Sequence, residues 1–228
     1  MLSGTTVVLK LGGHLLSEKS NSKYLKECIK VLKEILKSNR LIVITGGGAL
    51  ARAYIEAARA FGVDESTCDQ LGIEASRLNA MLLTSLLDED AYPNIPRNID
   101  ELKNAIRSGK TVITGGLFPA QSTDAVAAVA AELSHARLLI KATDVDGIYT
   151  SDPKSDPEAE KIEEIRAKEL YRMIVDRGME AGKYELFDQQ ALRIIMRSGI
   201  PTVVIDGRDP KNILKALKGE KIGTRITF

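Results

Sequence analysis

The chain lacks the residues that would tie it to a metal, a membrane or nucleic acid. Its two cysteines, Cys28 and Cys68, have no Cys-x-x-Cys spacing, and the two histidines, His14 and His135, do not complete a zinc set with them. No structural metal is expected, and both thiols are read as reduced. Aromatic residues make up 4% of the chain, and no basic stripe interleaved with aromatics occurs. The 32 basic and 31 acidic side chains leave a formal charge of +1, so there is no global field to draw in nucleic acid or an anionic lipid surface. No apolar run reaches membrane-spanning length, and Met1 leads into a strand without a basic-then-apolar leader, which predicts a cytoplasmic protein. What remains is a 228-residue chain, 44% hydrophobic, ordinary for one large α/β domain or two small ones.

The most informative stretch is residues 43–52, Val-Ile-Thr-Gly-Gly-Gly-Ala-Leu-Ala-Arg. A buried strand that ends in glycines and feeds a helix leaves backbone N–H groups uncovered, and the helix dipole favours negative charge there. That describes a seat for an anion such as phosphate. The pattern recurs at Val7-Val-Leu-Lys-Leu-Gly-Gly13 and Thr111-Val-Ile-Thr-Gly-Gly116, and parallel strands would bring all three loops to one sheet edge. Lys10 is either a strand-end cation or a phosphate ligand. His14 is either a hydrogen-bond donor to ligand or an idle loop imidazole. Arg52 sits near the positive end of its helix, where it is unfavourable by about 0.3–1 kcal/mol unless an anion offsets it.

The rest of the chain alternates helix and strand. A lysine-studded amphipathic helix is expected over 22–38, and a helix over 49–61. A long helix should start at Asp69, with Leu71, Ala75, Leu78, Leu82 and Leu86 on its apolar face; Asp69 is either its N-cap or an acceptor for a substrate hydroxyl. Asn98 caps a short helix, and residues 115–124 form a loop that puts Gln121, Ser122 and Thr123 at the next helix start; Ser122, Thr123 or Asp124 is the cap there, and the loop is longer than a cap requires. Strand 138–142, interrupted by Lys141, runs into an Asp-x-Asp-Gly turn that lacks the later glutamate of a calcium loop. Residues 151–159 read as a surface loop, followed by helices at 167–176, 185–198 and 210–217 and strands at 202–205 and 224–227. Gly178-Met-Glu-Ala-Gly-Lys183 is too short, and lacks the following Ser or Thr, for a P-loop; Lys183 is read as structural. Several glycine loops with Lys10 and Arg52 suit two phosphate-bearing ligands meeting end to end, the requirement of a kinase.

Lys10-Leu-Gly-Gly, Thr45-Gly-Gly-Gly and Thr143-Asp-Val-Asp-Gly-Ile-Tyr-Thr-Ser-Asp-Pro resemble the amino-acid kinase family over nearly the whole chain. Asp69-Gln-Leu-Gly-Ile, Ser76-Arg-Leu-Asn-Ala, Pro119-Ala-Gln-Ser-Thr-Asp-Ala and Tyr184-Glu-Leu-Phe-Asp188 resemble its uridylate kinase branch, in the archaeal form. The resemblance implies one domain over 1–228, a three-layer αβα sandwich around a mainly parallel sheet, with the acceptor in the N-terminal half and ATP in the C-terminal half. It implies catalytic roles for Lys10 and Asp188, Asp188 orienting Lys10. ATP would contact Lys10, Leu11, Gly12, Gly13, His14, Gly48, Arg52, Thr143, Tyr149 and Asp152. UMP would contact Gly47, Asp69, Leu117, Phe118, Pro119, Ala120, Gln121, Ser122 and Thr123. Mg2+ would ride on the ATP phosphates without a protein cage, and the assembly would be a homohexamer of dimers. Sibling kinases for isopentenyl phosphate or acetylglutamate, and a non-catalytic nucleotide-binding relative, are the alternatives. Two positions depart from the family pattern: His14 replaces a common Ser, and Ala120 replaces a common Gly, where a positive φ would strain alanine.

Overall fold

The computed structural model describes residues 4–17, 22–153, 155–176 and 187–228. Apolar runs build a seven-stranded sheet from β1 (Thr6–Leu11), β2 (Arg40–Thr45), β3 (Val112–Thr114), β4 (Leu138–Thr143), β7 (Glu164–Arg166), β8 (Thr202–Asp206) and β9 (Thr224–Thr227). The order is β3-β2-β1-β4-β8-β9-β7; five neighbouring strands are parallel, and β9 runs antiparallel to β8. Strands buried on both faces need apolar side chains on both, which is why Val7, Val8 and Leu9 are all fully buried.

Helices cover each face. On one lie α5 (Ile99–Arg107), α6 (Thr123–Leu133), α7 (Ala167–Asp176) and α8 (Gln189–Ser198); on the other lie α2 (Ser22–Leu36), α4 (Glu65–Leu87) and α9 (Lys211–Lys218). A short α1 (Gly13–Ser17) follows β1, and α3 (Gly48–Ala60) packs on α4. This is the expected αβα sandwich. Strand order reverses between β1 and β4, since β2 and β3 extend to one side of β1 while β4 and β8 lie on the other. Ligands of open α/β sheets bind at such a reversal, outside the carboxyl ends of the strands.

Several elements differ from the sequence reading. The long helix starts one turn early: Asp64 is its N-cap, accepting from the Thr67 amide at 3.0 Å, so Asp69 is not the cap. The face assigned to its core side is also rotated. Leu78, Leu82 and Leu86 are exposed; Ala75 is buried as expected, together with Ser76, Arg77, Asn79, Ala80, Leu83 and Leu87. The helix is apolar on two sides, and the polar groups on the buried side find carbonyl and amide partners there. Residues 151–153 and 155–159 are loop, and they lie between the strands of an unforeseen hairpin, β5 (Ile148–Tyr149) and β6 (Lys161–Ile162). Helix α8 begins at Gln189, after its cap Asp188; the Gly178–Lys183 segment and Lys183 itself lie outside the described residues.

Candidate active site

The first two glycine loops touch. Gly13 packs so closely on the second loop that a Cβ there would lie 2.2 Å from the Gly48 nitrogen and 2.4 Å from the Gly46 oxygen. Backbone bonds tie the loops to the sheet: the Gly46 amide donates to the Leu11 carbonyl at 3.0 Å, and the Gly12 amide to the Ala142 carbonyl at 3.0 Å. Gly48 has φ +64°, a conformation open to glycine at little strain, and it begins α3. The result is a row of backbone at the reversal point between β1, β2 and β4. The His14 ring folds back over Gly12. Arg52 is exposed on α3 and makes no ion pair among the described residues.

Lys10 and Lys141 are register neighbours on β1 and β4, so their side chains leave the same face of the sheet side by side. Like charges so placed repel. Asp124, in the first turn of α6, lies between them: its Oδ2 is 2.5 Å from Lys141 Nζ and its Oδ1 3.4 Å from Lys10 Nζ. Burial pushes the Asp124 carboxyl up, but the two lysines outweigh it and hold the group below the usual carboxylate range. Burial lowers Lys141, with Asp124 opposing, and the Phe187 ring lies 4.4 Å from its ammonium. Two cations thus share one buried carboxylate, with a second, Asp188, acting on Lys141 from farther off.

Asp188 reaches this centre through a hydrogen bond accepted from the Ser122 hydroxyl and caps α8 through the Ala191 amide at 2.6 Å. Ser122 in turn caps α6, taking the Ala125 amide at 3.0 Å. Two helix N-termini therefore converge beside the lysines, each adding positive dipole. The carboxylate that meets Lys10 is Asp124, where the resemblance implied Asp188.

The 117–123 loop is held from α4. Arg77 donates to the Gly116 carbonyl at 3.1 Å and to the Arg97 carbonyl at 3.0 Å, and pairs with Glu74 at 2.6 Å. Ser76 accepts the Gly116 amide at 2.7 Å, and Asn79 donates to the Gly46 carbonyl at 2.7 Å, so one helix fastens two loops. Further along, Asp69 Oδ2 accepts the Ala120 amide at 2.7 Å. Ala120 has φ +55°, the left-handed conformation that its departure from glycine makes costly. Leu117 is buried; Phe118, Pro119 and Ser122 are exposed, with Gln121 and Thr123 between those extremes. Gln121 Oε1 is buried without a hydrogen-bond partner among the described residues.

On the other side of β1, Thr143 ends β4 and donates to Asp144 at 3.2 Å, while Tyr149 donates to Asp146 at 2.7 Å. Asp152 follows in the 150–160 loop, where its carbonyl accepts the Asp156 amide at 2.9 Å. Lys10, Asp188 and the glycine loops thus lie around the reversal point, Asp69 and 117–123 to one side of it, and Thr143, Tyr149 and Asp152 on the segment that leaves β4.

Sequence reasoning missed Asp124, considered only as a cap, and Lys141, noted only as an interruption. A lysine inside an otherwise apolar strand was the available signal, because a buried ammonium needs a partner.

The family model described as "Amino acid kinase family" matches residues 5–206. A uridylate kinase of Methanosarcina acetivorans is 45% identical over 96% of this chain and 94% of its own, and one of Methanococcoides burtonii is 41% identical over 96% and 98%. The crystal structure of uridylate kinase from Archaeoglobus fulgidus superposes with a TM-score of 0.87 at 42% identity, covering 97% of this chain and 99% of that one.

Proposed function

The chain belongs to the amino acid kinase family, and from that premise we propose that it is a uridylate kinase, passing the γ-phosphoryl group of ATP to UMP. The observation that carries the reading is the contact of two glycine loops beside Lys10 at the sheet's reversal point, flanked by loops suited to two different ligands. In the reaction a UMP phosphate oxygen bonds to the γ-phosphorus as the bond to the β–γ bridging oxygen breaks, releasing UDP and ADP. The acceptor oxygen is anionic at neutral pH, so no general base is required, and the protein contributes positioning and positive charge.

In this reading Lys10 bears on the transferred group, with the Gly12 and Gly13 amides, Leu11 and His14 lining the phosphates. Arg52 lies between the two nucleotides, Gly47 on the UMP side and Gly48 on the ATP side. Asp69, with one oxygen engaged by Ala120, offers its other oxygen to a ribose hydroxyl. The buried, unpartnered Gln121 oxygen suits a base N–H. Thr143, Tyr149 and Asp152 hold the adenine nucleotide, and Asp188 positions Ser122 and the two helix starts. The reading treats residues 1–228 as one domain, acceptor side first.

Magnesium would enter as an ion carried on the ATP phosphates. Bound to phosphate oxygens, it would neutralise charge there. No described helix is long and apolar enough to cross a membrane, and we place the enzyme in the cytoplasm. We also propose the homohexamer. Tyr54 of α3, Phe61 at its C-cap and Leu78, Met81, Leu82 and Leu86 of α4 are exposed apolar side chains that a second copy would cover. A monomeric mass in solution would remove the assembly while leaving the chemistry.

The test is ADP release with ATP and magnesium against UMP, CMP, isopentenyl phosphate and N-acetylglutamate. Turnover confined to UMP is expected. Preference for either of the last two would transfer the chain to a sibling kinase, and no turnover on any acceptor would make it a binding protein.

A further inference from the structure

We propose that Lys141 is a positioning residue for Lys10: as the standing counter-ion of Asp124, it leaves Lys10 free to exchange that carboxylate for a substrate phosphate. The proposal rests on the kinase reading above. Its basis is the asymmetry of the shared carboxylate. Lys141 is the tighter and more enclosed partner, at 2.5 Å with its side chain 6% exposed, while Lys10 is 3.4 Å away and 13% exposed. The Phe187 ring lies 4.4 Å from the Lys141 ammonium, while Lys10 stands beside it on the strand that runs into the first glycine loop. Asp188 is close enough to favour the charged form of Lys141, which adds to its retention.

A buried carboxylate stripped of its only cation is strongly disfavoured. If Asp124 had Lys10 alone, a phosphate would have to compete with that requirement for the same ammonium. With Lys141 in place, at 2.5 Å, the Asp124 carboxylate keeps a cation when Lys10 turns away. Lys141 thereby makes Lys10 available without touching substrate itself.

The proposal makes a signed prediction for a double-mutant cycle. In Lys141→Met, Asp124 captures Lys10, and kcat should fall about 10- to 100-fold with KM for UMP changed less than about threefold. In Lys141→Met with Asp124→Asn, the captor is gone and at least about tenfold of the lost kcat should return. Lys141→Arg keeps the cation and should stay within about fivefold of the parent; it also serves if the methionine variant fails to fold, which thermal melting reports. A double variant no faster than the single one would overturn the proposal, as would a methionine variant with parental kcat or an arginine variant as slow as methionine. Failure of the underlying reading looks different: the unaltered protein would not phosphorylate UMP.

Discussion

The two loops that flank Lys10 are held by opposite means. The 115–120 segment hangs from buried side chains of a single helix, chiefly Ser76 and Arg77, the latter with a side chain 8% exposed. The segment after β4 is pinned at its base by the Thr224 hydroxyl, which accepts the buried Ile148 amide at 2.7 Å, but beyond that base it is tied by bonds in solvent, such as Lys161 to Asp146 at 3.0 Å with side chains 32% and 51% exposed. Buried polar contacts fix geometry because breaking one strands its partner away from water, whereas exposed ones exchange readily with water. On the proposed assignment, the acceptor side is therefore the more preformed and the ATP side the more adaptable one.

Substitutions can break or sharpen this contrast. The largest effect should fall on neither loop but between them: Lys10→Ala should lower kcat by about 100-fold or more, the scale for losing a charge-stabilising donor, in steady-state assays with both substrates saturating. Next is Arg77→Met, which strands the Gly116 and Arg97 carbonyls and should destabilise the fold by about 2–4 kcal/mol in urea titration, whereas Lys161→Met should change it by less than about 1 kcal/mol. Equal losses in the two variants would erase the contrast. Ala120→Gly should raise stability by up to about 1 kcal/mol, relief of the left-handed strain exceeding the extra chain entropy of glycine; a loss in thermal melts would mean that the Asp69 bond depends on the methyl group.

The smallest effect concerns Glu132, which joins α6 to α8 through Arg197 at 2.8 and 2.5 Å and Ser198 at 2.8 Å. The Arg197 and Ser198 hydrogen bonds hold its carboxyl below the usual range. Its contribution is then complete above the ordinary value near pH ~4.3 and is lost as pH falls through the lowered one. Glu132→Gln should cost about 0.2–1 kcal/mol at pH 7, and the gap from the parent should close in melts near pH ~3. A gap that widened on acidification would reverse the assigned sign.

Most of the parallel sheet could be read from apolar runs, because strands covered on both faces leave little ambiguity. The hairpin of β5 and β6 could not: strands of two residues are too short to carry a periodicity. The rotated face of α4 has a different cause. Hydrophobicity identified Leu78, Leu82 and Leu86 as a stripe, but the polar Ser76, Arg77 and Asn79 won the interior by satisfying loop backbone. Glycine loops and Lys10 were legible because phosphate chemistry restricts which residues can stand there. The Asp124–Lys141 pair was not, since its meaning lies in a contact between elements 17 residues apart that only the β1–β4 register brings beside Lys10.

Phosphorus-31 NMR of ATP, magnesium and UMP incubated with the protein, run in parallel with Lys10→Ala, tests the central claim most directly. The account predicts UDP and ADP resonances growing in equal amounts, without inorganic phosphate, and near-silence in the variant. ATP loss as ADP and inorganic phosphate with no UDP, or UDP formation undiminished in Lys10→Ala, would contradict it.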